Sequence, residues 1–240
     1  MAASPTFVNA AIANSFGNSQ QIAPLPVSRT NGNLLVAFWY FSRDSGATFS
    51  FAVQNGFTFG DQVNAPGTNF GAGCWAWRYV DGTEGDVTIQ ASAATTYRSE
   101  GVVLQYSGVD PTASIGAASK VNGGADGTMV VPGIVTTNVN SVVIAALMAR
   151  GGATIGTPTG YTSQQSQFFD NPDHNMCDNV YSGRNQATGN ISASIGADES
   201  YAGFLLEVRS KIVPPDHSTP TVLIGGFFDS VVNEVEAVGY

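Results

Sequence analysis

Two runs of eight apolar residues, LLVAFWYF at 34–41 and VVIAALMA at 142–149, set the tightest limit on what this chain can fold into. Each is far short of the roughly 20 residues that a membrane helix needs. Read as strands, both are apolar on both faces. Along the first, Leu34, Val36, Phe38 and Tyr40 lie on one face, with Leu35, Ala37, Trp39 and Phe41 on the other. A strand at the surface of a sandwich needs one apolar face only. The second face therefore needs a cover: the other half of the chain, a terminal arm or another subunit. Each large side chain left in water would forgo about 1.5–3 kcal/mol.

The runs belong to a repeat of about a hundred residues. GDVTIQASA (85–93) returns as GNISASIGA (189–197), so that Val87, Ile89 and Ala91 correspond to Ile191, Ala193 and Ile195. Apolar and small polar residues alternate with period two in both copies, as in a half-buried strand. At the same offset, GFT (56–58) meets GYT (160–162). NGNLLVAFWY (31–40) resembles NVNSVVIAAL (138–147), and GVVLQYSG (101–108) resembles GFLLEVRS (203–210). Turn signals such as RDSGA, DGTEGD, NGGADG, RGGA and NPD punctuate the strands. The expected fold is all-β: a jelly-roll-like antiparallel sandwich built from two related halves, about 31–110 and 138–210. Residues 1–30 read as an N-terminal arm or first strand, 31–210 as the body, and 211–240 as a Pro-rich linker and C-terminal docking tail.

Charge narrows the function classes. Only 11% of residues are charged, against about a quarter in ordinary domains, and the net charge is −9. The nine basic residues are scattered, whereas a phosphate backbone or an anionic membrane calls for clustered positive charge. Neither nucleic acid nor membrane is an expected partner. The N-terminus MAASPTFVNA lacks the basic start and apolar core of a secretory signal, so synthesis in the cytoplasm is expected. Cys74 and Cys177 read as two buried thiols rather than a disulfide framework or a zinc site.

Catalytic signatures are scarce, and the expectation is a protein that is not an enzyme and needs no metal or cofactor. There is no nucleophile elbow, P-loop or dinucleotide fingerprint. FFDNPDHNMCDN (168–179) gathers Asp170, Asp173, His174, Cys177 and Asp178, types that bind metals or move protons, but a polar turn explains it more simply. Asp81, Glu84 and Asp86 in DGTEGD offer oxygen ligands for calcium, yet a plain hairpin turn accounts for them. Asn190-Ile191-Ser192 matches the glycosylation sequon but falls inside a strand. Trp75, Trp77 and Tyr79 share one face of a strand and are the candidate contacts to a host glycan. Arg78, on the other face, must meet water or a partner, which makes the aromatic stripe the inner side. Beyond VPPDHSTP the chain turns apolar, and Phe227, Phe228, Val231, Val232 and Val235 are the candidate interface residues of a docking tail.

The segments NGNLLVAFWYFS, GFT, GTEGDVTIQASA and VVLQYSGVDPTAS, with Tyr106-Ser107-Gly108-Val109-Asp110, resemble β-sandwich structural proteins of tailed phages. The resemblance spans about residues 30–210. It implies a virion component of the capsid decoration, fibre or adsorption type, working as a symmetric homo-oligomer, often a trimer. Its partners would be the major capsid protein or another virion protein. The rival implication is a tail fibre or receptor-binding module that holds a glycan.

Overall fold

A computed structural model describes residues 3–16, 20–26, 28–43, 51–53, 55–64, 70–91, 98–124, 127–150, 154–167, 172–195 and 200–211. The described residues form strands and turns without a helix. In chain order the strands are β1 (Thr6–Phe16), β2 (Gln20–Ala23), β3 (Leu34–Arg43), β4 (Phe51–Val53), β5 (Thr58–Asn64), β6 (Phe70–Tyr79), β7 (Val87–Ala91) and β8 (Arg98–Ser107). They continue as β9 (Ile115–Gly123), β10 (Thr128–Val131), β11 (Ser141–Ala149), β12 (Thr162–Gln167), β13 (Asp173–Tyr181), β14 (Ile191–Ser194) and β15 (Tyr201–Val208). The all-β, antiparallel sandwich expected from the alternation is the fold observed.

Two five-stranded sheets carry the architecture. One runs β1-β8-β3-β6-β5; the other, read from its far edge, runs β9-β15-β11-β13-β12. The second order follows the first position by position. Two small sheets, β2-β7-β4 and β10-β14, lie outside them. The doubly apolar strands β3 and β11 are central, and this explains their composition. Leu34, Val36, Phe38 and Tyr40 join Val142, Ile144, Ala146 and Met148 in one buried cluster between the large sheets. The opposite faces go to separate clusters: Leu35, Ala37, Trp39 and Phe41 pack with Val87 and Ile89 of β7, and Val143, Ala145 and Leu147 with Ile191 and Ala193 of β14. The other half of the chain thus covers one face of each strand, and the opposite face is covered by the small sheet of the strand's own half, joined in the first half by Ala23 and Leu25 of residues 1–30.

Pairing corrects one detail of the repeat. Likeness of 31–40 to 138–147 sets Leu34 beside Ser141. Yet Leu34 pairs with Tyr106, and Val142 with Val208, and Tyr106 and Val208 hold the same place in the matching 101–108 and 203–210 segments. Leu34 thus corresponds to Val142, one residue further on. The shared Asn-x-Asn marks the turn before the strand and not the strand itself. The residue matters because a slip of one exchanges the two faces.

Candidate functional site

β13 separates the 168–179 cluster instead of gathering it. Alternate side chains of a strand point to opposite faces. Met176 lies in the core between the large sheets, whereas Cys177 lies in the outer core of the second half. Asp178 is near the end of the strand, where the Tyr106 hydroxyl and the Gln164 amide each donate to its carboxylate, at 2.9 and 2.8 Å. Asn175 takes the outer side, donating to Ile155 O and accepting from Ser163 Oγ. Asp170 lies outside the described residues. Burial pushes the Cys177 thiol up to about 12, and the Cys74 thiol well above its ordinary value, so neither is a ready thiolate. Both cysteines are free and sit in different cores.

His174 meets a partner that the local sequence does not announce. Its Nδ1 lies 2.8 Å from Oε1 of Glu100 on β8, and both side chains are sealed from solvent, at 0% and 1% exposure. The contact is an ion pair while His174 is protonated, and it crosses from one large sheet to the other. Glu100 sits in RSEGVVLQYS, where a charge in an otherwise buried strand was the available signal. The corresponding positions on the other side of the stack are Ala202 and Gly73. There the backbones approach so closely that a Cβ on Gly73 would stand 2.8 Å from Ala202 Cβ. One side of the inter-sheet contact is thus a polar pair and the other a close apolar fit.

The acidic turn 80–86 consumes its own carboxylates. Asp81 accepts from Arg78, from the Thr83 amide and from the Thr83 hydroxyl. Glu84 accepts from the Asp81 and Gly82 amides, and Asp86 from the Leu25 amide at 3.1 Å. Arg29 Nε stands 3.6 Å from Glu84, and Arg78 3.0 Å from Asp81. Among the described residues no group of three or more His, Cys, Asp or Glu is arranged to hold a metal ion.

The aromatic stripe lies on the inner side. Trp75 is buried in the core between the large sheets, and Trp77 and Tyr79 pack half-buried against it. Trp77 meets Tyr79 edge to face at 6.2 Å, and the Tyr79 hydroxyl donates to Asp110 O. The candidate docking residues Phe227, Phe228, Val231, Val232 and Val235 lie outside the described residues.

One site-like feature among the described residues was not visible in the sequence. It is a cavity of about 240 Å³ lined by Asp110, Thr137, Asn138, Arg184 and Arg209, where the connection between the halves meets the end of β15. Its walls are tied together: Asp110 N donates to Arg209 O, Thr136 N to Gln186 O, and Asn185 N to Thr136 O. Arg209 Nε donates to Thr137 Oγ1 at 2.9 Å. The Asp110 carboxyl is held below the usual range, chiefly by the Thr112 amide against partial burial, then by the Thr112 hydroxyl, the Ala113 amide and the nearby Arg209 charge. Behind the cavity Glu207 is fully buried. It accepts from the Ala117, Thr137 and Asn138 amides and from the Thr137 and Ser141 hydroxyls. No family model, no curated protein and no solved structure matches this chain.

Proposed function

We propose that this protein is a non-enzymatic structural component of a bacteriophage virion, of the capsid decoration type. In this reading its body is a rigid spacer, and its C-terminal segment docks on the major capsid protein or a neighbouring virion protein. The observation that supports it is the complete cover of β3 and β11 inside one chain. Among the described residues the body leaves only scattered large apolar side chains exposed, so the demand for a partner falls on the apolar stretch 221–240, with Phe227, Phe228, Val231, Val232 and Val235 as its contacts. Burial of those side chains would supply affinity, and a symmetric homo-oligomer on a repeating shell would multiply it through avidity. The likeness of 30–210 to tailed-phage sandwich proteins points the same way. The test is deletion of residues 221–240. We expect a folded body that no longer joins particles; normal occupancy by the truncated protein overturns the reading.

A second reading, a tail fibre or receptor-binding module that holds a host glycan, draws support from the arginine-lined cavity. The buried Trp75 gives it none, because a sugar ring needs an aromatic face in solvent.

A further inference from the structure

We propose that the cavity between residues 108–114, 136–140 and 182–186 binds a carboxylated monosaccharide unit through Arg184 and Arg209. The inference stands on the cavity alone and not on the docking tail. Its first support is the meeting of two guanidinium groups in one cavity. Two of the nine cations of a chain with net charge −9 line this one cavity. Among the described residues neither Arg184 nor Arg209 forms an ion pair, while the corresponding end of the first half matches Arg29 with Glu84 and Arg78 with Asp81. Glu207, the nearest carboxylate behind Thr137, is already held by five donors of its own. Asp110 uses Oδ1 to close its turn, accepting from the Thr112 amide and hydroxyl and from the Ala113 amide.

The chemistry of the walls selects the ligand. A guanidinium presents a planar fork that fits a carboxylate with two parallel hydrogen bonds. Thr137 fixes Arg209 through Nε, which leaves its terminal nitrogens to donate. Arg184 stands on the exposed turn opposite, with all its donors unclaimed by described residues. Asp110 also lines the cavity, and the described hydrogen bonds of its carboxylate all use Oδ1, which leaves Oδ2 to accept. A bare inorganic anion would be repelled by that carboxylate, whereas the hydroxyls of a sugar acid would donate to it. Asn138, tied by its Nδ2 to Ser210 O, closes the inner wall. At about 240 Å³ the cavity is smaller than the usual pocket for a drug-sized ligand, about 300–1,000 Å³, and suits a single ring.

The test is a titration of the isolated full chain, followed by NMR shifts of backbone and arginine side-chain N–H groups. The probes are glucuronate, N-acetylneuraminate, glucose and sulfate. We expect saturable shifts around Asp110, Asn138 and Arg184 with at least one sugar acid, at a Kd of about 1–10 mM, and none with glucose. Arg184→Ala, on an exposed turn, should weaken that binding by about tenfold or more without moving the melting temperature. Absence of saturation by either sugar acid up to about 50 mM overturns the proposal, as does unchanged binding by Arg184→Ala. Sulfate binding as tightly as the sugar acids also overturns it and marks a bare-anion site. None of these outcomes bears on whether residues 221–240 dock on a particle, so the two readings fail separately.

Discussion

Gln105 on β8 and Glu207 on β15 stand at the same place in the two halves, and each holds the segment that leads into its central strand. Gln105 does so as an amide: Nε2 donates to Ser28 O and Asn9 Oδ1, and Oε1 accepts from the Thr30 amide. Glu207 does so as an anion that only accepts, from Ala117, Thr137, Asn138 and Ser141. One frame therefore tolerates two chemistries, provided that the segment it holds presents matching groups. At this end of the molecule the first half is built around the neutral Gln105 and the pairs Arg29–Glu84 and Arg78–Asp81. The second concentrates a buried anion, two arginines without an ion pair among the described residues and the seam between the halves in one region. The repeat fixes the scaffold, and the departures from it mark where the halves differ in what they can bind and in how they respond to pH.

The largest expected effect breaks this comparison at its centre. Glu207→Ala leaves several buried or half-buried donors without an acceptor, and should cost about 3–5 kcal/mol in urea unfolding. Gln105→Ala should cost about 1–2 kcal/mol. Equal losses would show that the two anchors are interchangeable. The difference also has a pH signature. Burial resists charging of Glu207, but the Ala117 amide, the Ser141 and Thr137 hydroxyls and the Thr137 amide together bring its carboxyl below the usual range. A depressed carboxyl contributes stability that is fully present above its unfolded value, about pH 4.3, and lost as pH falls through the folded value. Glu207→Gln should thus be less stable than the native chain at neutral pH and lose less as pH falls below the ordinary carboxylate range. Parallel stability curves for the two proteins would refute the assignment.

The next comparison is between the two sides of the inter-sheet contact. His174→Ala removes the 2.8 Å contact to the buried Glu100 carboxylate and should cost about 3 kcal/mol. Glu100→Ala combined with His174→Ala should cost less than the sum of the single changes by more than about 1 kcal/mol, since each removes the reason for the other. Strict additivity would mean that the 2.8 Å contact carries no coupling. On the mirrored side, Gly73→Ala pushes a methyl against Ala202, Phe204 and Met148, at 2.8, 3.2 and 3.4 Å. Overpacking of this kind should cost about 1–3 kcal/mol. A neutral Gly73→Ala would show that the sheets separate more easily than their packing suggests.

Local pattern carried the fold. Alternation in 87–89 and 191–194 and the double-faced apolar runs at 34–41 and 142–149 are properties of neighbours along the chain, and the structure keeps each of them, whereas the turn signals in 43–47, 122–127, 150–153 and 171–173 fall wholly or partly outside the described residues. The register of the repeat slipped by one because turn residues, not strand residues, carried the likeness. The cover of the central strands, and both polar features between the halves, depend on residues far apart in sequence. Glu100 reaches His174 across 74 positions, and the cavity joins Asp110 to Arg184 and Arg209 through loops of no shared pattern. The usable trace was a charged residue, Glu100 or Glu207, inside an otherwise apolar strand. The aromatic stripe on β6 faces the core between the large sheets, but the opposite face, with Ala72, Cys74 and Ala76, is buried too, and Arg78 at its end binds Asn55 O, Asp81 and Thr83.

The smallest expected effect compares two turns at the same place in the halves, Asn55-Gly56-Phe57 and Thr159-Gly160-Tyr161. Both glycines are left-handed, with φ of 74° and 83°. An L-residue there is strained by about 1 kcal/mol whatever the space around it. Around Gly160 a Cβ would meet nothing nearer than Asn179 Nδ2 at 3.8 Å, so Gly160→Ala should cost that strain and no more. At Gly56 a Cβ would stand 2.7 Å from Arg78 Nη1, the far end of a side chain that can swing away. If Arg78 gives way freely, Gly56→Ala should match Gly160→Ala within a few tenths of a kcal/mol. A clearly larger loss would mean that the Arg78 bonds to Asn55, Asp81 and Thr83 hold the guanidinium in place. The Arg78→Ala, Gly56→Ala double variant should then recover the excess. The pair of measurements reads out how firmly the first half fixes its arginine at the end where, among the described residues, Arg184 of the second half has no ion pair.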